Sequence, residues 1–314
     1  MFVRRAKQKW LKRKYGLKVD SHSEEDYLTN LRYADDVLLV ARSLPQLRNM
    51  LADVEKEAAK VGLKLHPGKT KILHNNIGYG IGAKVARCGS MQIEILDSER
   101  HADYLGTAVK LTGIEDEEVA SRVSKAWAKY GVFRSELRDR QVPIELRLKL
   151  FDTIITPTIL YGSETWPTKR ISQRKLHATQ MKMMRLLIHA HRTYDTYDDH
   201  VEWIKDATTT AVDVMLRYGI RKWTETQSAK KWAWAGKICQ SHASRWTAVT
   251  TAWIPHASRP RGRPKKRWVD DINGFLSHQT GIRHEGDDWR SIASCPKTWE
   301  SFSAKFVNHV ASER

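Results

Sequence analysis

The sequence predicts an α+β chain in which short strands come first and helices follow. Three observations carry that expectation. The apolar run Val37-Leu38-Leu39-Val40-Ala41 follows an alternating segment at 27–33 across a short polar break, the pattern of two strands around a turn. From Gly113 onward, apolar residues fall on one helical face: Val119, Val123, Trp127, Tyr130, Phe133 and Leu137, then Ile144, Leu148, Phe151, Ile155 and Ile159. With 314 residues, 41% hydrophobic and 29% charged, the chain has apolar material for about two cores, which excludes wholesale disorder.

Residues 1–19 carry Arg4, Arg5, Lys7, Lys9, Lys12, Arg13, Lys14 and Lys18, with no acid before Asp20. A nucleic-acid contact, a nuclear-import patch and a mitochondrial presequence all fit, as does a solvated helix face or a frayed end. The strand pair at 27–41 turns at Ala34-Asp35-Asp36. A helix is expected over 43–61, capped by Ser43, with Leu47, Leu51, Val54 and Ala58 on one face and Gly62 as its stop. Short strands are expected at 71–74, 91–96 and 104–110, with a glycine-rich loop at 77–89. Pro143 suits a first helical turn, and a further helix is expected over 172–189. The region beyond about 195 reads as helical around a loop at 255–264, and nine of the twelve Trp lie beyond residue 200.

The net charge of +18 points to a polyanionic partner, nucleic acid above all. Three scattered cysteines, Cys88, Cys239 and Cys295, exclude a disulfide scaffold and fit a reducing compartment. His and Cys near the C-terminus (Cys239, His242, His278, His284 and Cys295) include no Cys-x-x-Cys pair, so zinc is not expected. No apolar run approaches the roughly 20 residues of a membrane span, and the basic start lacks a secretory apolar stretch. The expected location is nuclear or cytoplasmic, with a mitochondrial address as the minor alternative.

Asp35-Asp36 is the sharpest feature. Two adjacent carboxylates between hydrophobic strands repel each other beside residues that favour burial. A hard divalent cation offsets that cost, and Mg2+ bound by carboxylates keeps waters that phosphates can replace. Two such ions form the clamp for in-line phosphoryl transfer. An exposed Asp-Asp turn is the plainer alternative.

The segment Leu31-Arg32-Tyr33-Ala34-Asp35-Asp36-Val37-Leu38-Leu39 resembles the catalytic hairpin of reverse transcriptases, and more specifically that of non-LTR (LINE-type) retrotransposons. Further segments resemble that family in the same order. Gly62-Leu63-Lys64-Leu65-His66-Pro67-Gly68-Lys69-Thr70-Lys71 resembles the next palm motif, Tyr104-Leu105-Gly106 the primer grip, and Ile159-Leu160-Tyr161-Gly162-Ser163-Glu164-Thr165-Trp166 a thumb segment. Arg261-Gly262-Arg263-Pro264-Lys265-Lys266-Arg267-Trp268, with Asp270-Asp271, resembles a C-terminal basic signature. Two departures stand out: His66-Pro67-Gly68 replaces the usual Asn stretch, and Tyr33 stands where Phe is common.

The resemblance implies a partial polymerase palm at 20–112 (catalytic hairpin plus helix) after the basic segment 1–19. A helical thumb at 113–192 and a helical, basic, Trp-rich region at 193–314 would follow. It implies Asp35 and Asp36 as metal ligands for Mg2+, Tyr33 packed near the primer end, and Lys69 acting on the leaving pyrophosphate. Tyr104, Leu105 and Gly106 would hold the primer. The partners implied are an RNA template and a DNA primer. In this family a further catalytic Asp lies well upstream, and among the 34 residues before Asp35 only Asp20 and Asp26 are aspartates, neither in a matching motif. The fingers and nucleotide-pocket segment are absent as well. The chain is therefore expected to need an upstream polymerase portion and to be inactive alone. Unpaired strand edges at 27–41 would then favour association.

Arg259, Arg261, Arg263, Lys265, Lys266 and Arg267 place six cations in nine residues on a Gly- and Pro-rich segment that can track phosphates. A solvated linker or import signal is the alternative. Trp223, Trp232, Trp234 and Trp246 stand among cations and could stack on bases, although helical core is the commoner use of Trp. Three functional readings remain: the C-terminal part of an RNA-directed DNA polymerase, a non-catalytic nucleic-acid-binding remnant of such an element, and a decayed reading frame. The sequence does not fix the oligomeric state.

Overall fold

The computed structural model describes residues 2–19, 27–74, 84–97, 100–111, 115–190, 199–242, 245–253, 266–285 and 288–312. The chain forms two compact units, Met1–Ile114 with Ser241–Ala257, and Glu115–Gln240 with Ser258–Arg314. Among the described residues no helix is long and apolar enough to cross a membrane.

In the first unit the basic N-terminus is a docked helix, α1 (Phe2–Lys12). Val3, Ala6 and Trp10 recur at helical spacing and are buried against Met50 and Val54. Lys9 reaches Glu57 at 3.3 Å, Arg13 reaches Asp53 at 3.6 Å, and Trp10 Nε1 donates to Asp53 at 3.0 Å. The frayed-end reading therefore fails for this segment, because its apolar stripe has a partner.

The expected strand at 27–33 is divided at Thr29. β1 (Leu17–Lys18) pairs with β2 (Tyr27–Leu28), whereas β3 (Asn30–Tyr33) pairs with β4 (Asp36–Leu39). Buried Thr29 accepts Val40 N–H at 2.8 Å and extends the second pair by one bond. Helix α2 (Leu44–Ala59) follows, with Ser43 Oγ accepting Gln46 N–H at 3.3 Å and Gly62 left-handed at φ 74° beyond its end. Its buried face holds Met50, Leu51, Val54 and Ala58.

β5 (Lys71–Ile72) pairs in parallel with β7 (Met91–Ile95), whose other edge takes β6 (Val85–Cys88) antiparallel. β6 lies inside the expected glycine-rich loop, of which 77–83 fall outside the described residues. Ala86 and Cys88 alternate inward onto Leu51, which is why the segment is a strand despite Gly89. The expected strand at 104–110 is instead a hairpin, β8 (Ala102–Tyr104) and β9 (Thr107–Val109). Leu105 and Gly106 have φ of 51° and 75°, the left-handed pair that a tight two-residue turn requires.

The second unit is helical. α3 (Glu115–Val132), the short α4 (Arg134–Leu137), α5 (Ile144–Ile159) and α6 (Arg170–Leu187) pack around Phe151, Ile155, Leu176 and Met184. α6 begins and ends two residues before the expected span. α7 (His200–Arg217) and α8 (Trp223–Gln240) complete that core. α9 (Trp246–Ala252) belongs to the first unit, where Trp246, Val249 and Trp253 pack with Val19, Leu28, Leu31 and Val40. α10 (Asp270–Thr280), α11 (Trp289–Ala293), α12 (Pro296–Ser301) and α13 (Ser303–Ser312) build a second core around Trp232 of α8.

Candidate functional site

The β3–β4 hairpin owes its shape to the register Tyr33↔Asp36, which leaves Ala34-Asp35 as a two-residue turn. Ala34 has φ 51°, and a positive φ at this turn position matches the strand twist. Asp35 therefore stands at the tip and Asp36 opens β4, one residue earlier than expected for that strand. Cross-strand partners share a face, so Tyr33, Asp36, Leu31 and Leu38 lie on one side and Val37 and Leu39 on the other. Val37 and Leu39 pack onto the α1–α2 core. That packing fixes the hairpin and turns Asp36 away from α1 and α2.

Both carboxylates are exposed, and neither has an ion-pair or hydrogen-bond partner among the described residues. Tyr33 is 68% exposed beside them. Tyr104, the last residue of β8, lies within electrostatic reach: burial raises its phenol above the ordinary value, and the charge of Asp36 raises it further. The structure thus places Tyr104 within electrostatic reach of Asp36, with Tyr33 and Asp35 on the same hairpin as Asp36.

Lys69 sits on an exposed turn built by His66, whose Nδ1 accepts Lys69 N–H at 3.3 Å and whose carbonyl accepts Thr70 Oγ1 at 3.0 Å. An Asn side chain makes the same kind of local bond, so the departure at His66 preserves the turn. Lys71 is held by Glu94 at 2.7 Å, leaving Lys69 as the uncommitted cation of Lys69-Thr70-Lys71 among the described residues. Leu65, four residues before Lys69, and Leu39 of β4 pack on the same two clusters. Among the described residues no hydrogen bond or ion pair joins Lys69 to the Asp pair.

An ion would meet hard oxygen donors here. Two adjacent, exposed carboxylates without competing partners suit Mg2+, which takes one or two carboxylates together with waters and phosphates. Among the described residues no three His, Cys, Asp or Glu side chains cluster as ligands. The β3–β4 sheet has only these two strands among the described residues.

The basic segment divides. Arg259, Arg261, Arg263 and Lys265 lie outside the described residues. Lys266 Nζ donates to Thr168 O at 2.9 Å, and the Arg267 backbone N–H donates to Asp270 at 2.6 Å. Trp268 Nε1 donates to Glu164 O at 2.8 Å. The two segments singled out as a thumb motif and a basic signature are therefore interlocked.

At the centre of that lock, fully buried Lys231 bonds both oxygens of Asp271 at 2.7 and 2.9 Å, and the Thr168 hydroxyl donates to the same carboxylate. Burial pushes the Lys231 ammonium below its ordinary range, and Asp271 opposes the shift. Sequence reasoning missed Lys231; its only signal was a lysine among tryptophans. Trp223 and Trp232 are buried, stacked on Phe151 and Trp299 with ring centroids at 5.7 and 3.7 Å. They are core residues and cannot stack on bases. Trp234 and Trp246 are half-buried against their cores.

Residues 2–109 match the family model described as reverse transcriptase (RNA-dependent DNA polymerase). An uncharacterized transposon-derived protein of Caenorhabditis elegans is 27% identical over 274 residues, which span 87% of this chain and 94% of that protein. No solved structure matches.

Proposed function

We propose that the chain is the later part of an RNA-directed DNA polymerase of a non-LTR retrotransposon, with partial palm, thumb and basic C-terminal region at 20–112, 113–192 and 193–314. The observation that carries this reading is the exposed Asp35-Asp36 turn, with Tyr104 close enough to feel the charge of Asp36. The reverse transcriptase match over residues 2–109 supports it. Asp35 and Asp36 would hold Mg2+, which supplies charge at the attacking and leaving oxygens of phosphoryl transfer. Tyr33 and the Tyr104-Leu105-Gly106 turn would bear on the primer end, and Lys69 would offset charge on the leaving pyrophosphate. The third carboxylate would come from an upstream polymerase portion adding a strand to the hairpin.

Primer extension on an RNA template tests this, with the chain alone and with an upstream portion bearing an Asp strand. The chain alone is expected to be inactive. The combined protein is expected to extend the primer with Mg2+, and to lose at least about 10²-fold in rate with Asp35→Asn and Asp36→Asn. Extension insensitive to those changes refutes the assignment. The net charge of +18 favours one second reading, a non-catalytic nucleic-acid-binding remnant. It predicts binding without extension in either arm.

A further inference from the structure

We propose that the depression between the end of α3, α4 and the C-terminus of α6 is a phosphate-binding site that seats a backbone phosphodiester of the nucleic acid. The choice of nucleic acid rests on the functional reading above; the site itself rests on its own geometry.

The site is an open surface depression of about 480 Å³ lined by Gly131, Arg134, Ser135, Arg138 and His189, of which Gly131, Arg134 and Ser135 are exposed. Neither Arg134 nor Arg138 has a carboxylate partner among the described residues, and Arg138 Nε is shielded from solvent with no hydrogen bond. A shielded guanidinium N–H without an acceptor is costly, and an oxyanion bound there would remove the cost. Two acids lie nearby without pairing with either arginine: Glu136 accepts from Ser135 Oγ, on the lining itself, at 2.8 Å, and Asp139 accepts from Gln141 N–H at 2.8 Å.

Two reporter groups sense the same field. The Tyr130 phenol is pushed up to about 12 by burial, opposed by Arg138, Arg134 and Arg147. The His189 imidazole is lowered by burial and then by Arg140, Arg147 and Arg138, with a hydrogen bond to the Arg138 backbone opposing. Every charge named at either group is a cation.

The walls are fixed in advance. Buried Arg147 of α5 donates to Leu187 O at 2.7 Å, Val142 O at 3.0 Å and Leu137 O at 3.5 Å, tying the ends of α4 and α6 and offsetting their negative poles. His189 itself stands at φ 58° where the chain leaves α6, with Ala190 N–H returning to Arg185 O at 2.9 Å. Glycine is the least strained residue at that position. A histidine held there, facing two unpaired arginines, is strain of the kind that accompanies binding sites.

The test uses the full chain and two probes, a labelled 20-base-pair RNA–DNA hybrid titrated across salt concentrations, and inorganic phosphate followed by His189 ring resonances. Arg134→Gln with Arg138→Gln is expected to reduce the slope of log affinity against log salt by about two. Gly131→Glu offers a second route, because a Cβ at Gly131 meets nothing within 4 Å. It adds a negative charge at the lining of the site and is expected to lower the slope by about one, whereas Gly131→Ala is expected to leave it unchanged. Asp35→Asn with Asp36→Asn is expected to leave hybrid binding intact, so failure of the catalytic reading is seen separately. If the hybrid slope is unchanged but phosphate shifts His189 only when both arginines are present, the site stands with a free anion as its ligand. If folded variants match the parent with both probes, the proposal is overturned.

Discussion

Replacing Asp271 by Ala removes the counter-charge of a lysine with no solvent exposure, and the cost can be worked from two directions. Breaking a buried ion pair by deleting one partner typically costs about 3–5 kcal/mol, because the remaining charge is left uncompensated. Lys231 has an escape, since it can lose its proton. From an ordinary value near 10.4, deprotonation at pH 7 costs about 4.6 kcal/mol, which caps the penalty at the same size. The cap falls by about 1.4 kcal/mol per pH unit, so the variant is expected to recover about 2–3 kcal/mol of its deficit by pH 9. Lys231→Met with Asp271→Leu is expected to be close to neutral, because neither charge remains to be desolvated. Urea unfolding followed by Trp fluorescence reads this directly: Trp232 and Trp299 stack in that core, and about 3–5 kcal/mol moves the midpoint by roughly 1–2 M. A single variant costing under about 1 kcal/mol, or a double variant as damaged as the single, would refute the reasoning.

Two further outcomes follow from local geometry. Gly16 has φ +94°, and a Cβ there would stand 2.4 Å from Leu28 O, so Gly16→Ala is expected to destabilise the first unit by more than about 1 kcal/mol in thermal melts. His189 has a folded value below its unfolded one, so below about pH 6.5 the unfolded chain takes up a proton that the native chain resists. Its contribution is full above that pH and is lost as pH falls toward the folded value. His189→Asn is expected to flatten the difference between urea midpoints measured at pH 7.5 and 5.5, and an unchanged difference would count against the burial and arginine field assigned to it.

The elements that could be read from the chain were those specified by neighbouring residues. Ser43 with Gly62 bounded α2, and the apolar run after Asp36 announced β4. The helical faces of α3 and α5 stood out from their spacing. What escaped depended on partners distant in sequence. The cations of α1 hid its Val3, Ala6 and Trp10 stripe, whose use depends on α2. β6 was hidden by the glycines before it, and only its pairing with Met91–Ile95 makes it a strand. The Tyr104-Leu105-Gly106 segment was recognisable as a motif, but its turn needs a leucine at positive φ, which propensity does not suggest. The arginine site draws on three helices and was invisible to any linear window. The Lys231–Asp271 pair spans forty residues, and no spacing rule proposes it.

The chain leaves the first unit at Ile114 and comes back to it only at Ser241. The cover over Leu31 and Val40 of the Asp35-Asp36 hairpin region is thus α9, encoded some two hundred codons later. This ties the fate of both ends of the reading frame together. A nonsense or frameshift lesion before α9 does more than clip a tail: it strips the apolar lid from the carboxylate hairpin and exposes its strands during synthesis. Loss of the 3′ half would register as loss of the folded 5′ half, so the hairpin reports on the integrity of sequence far downstream of it.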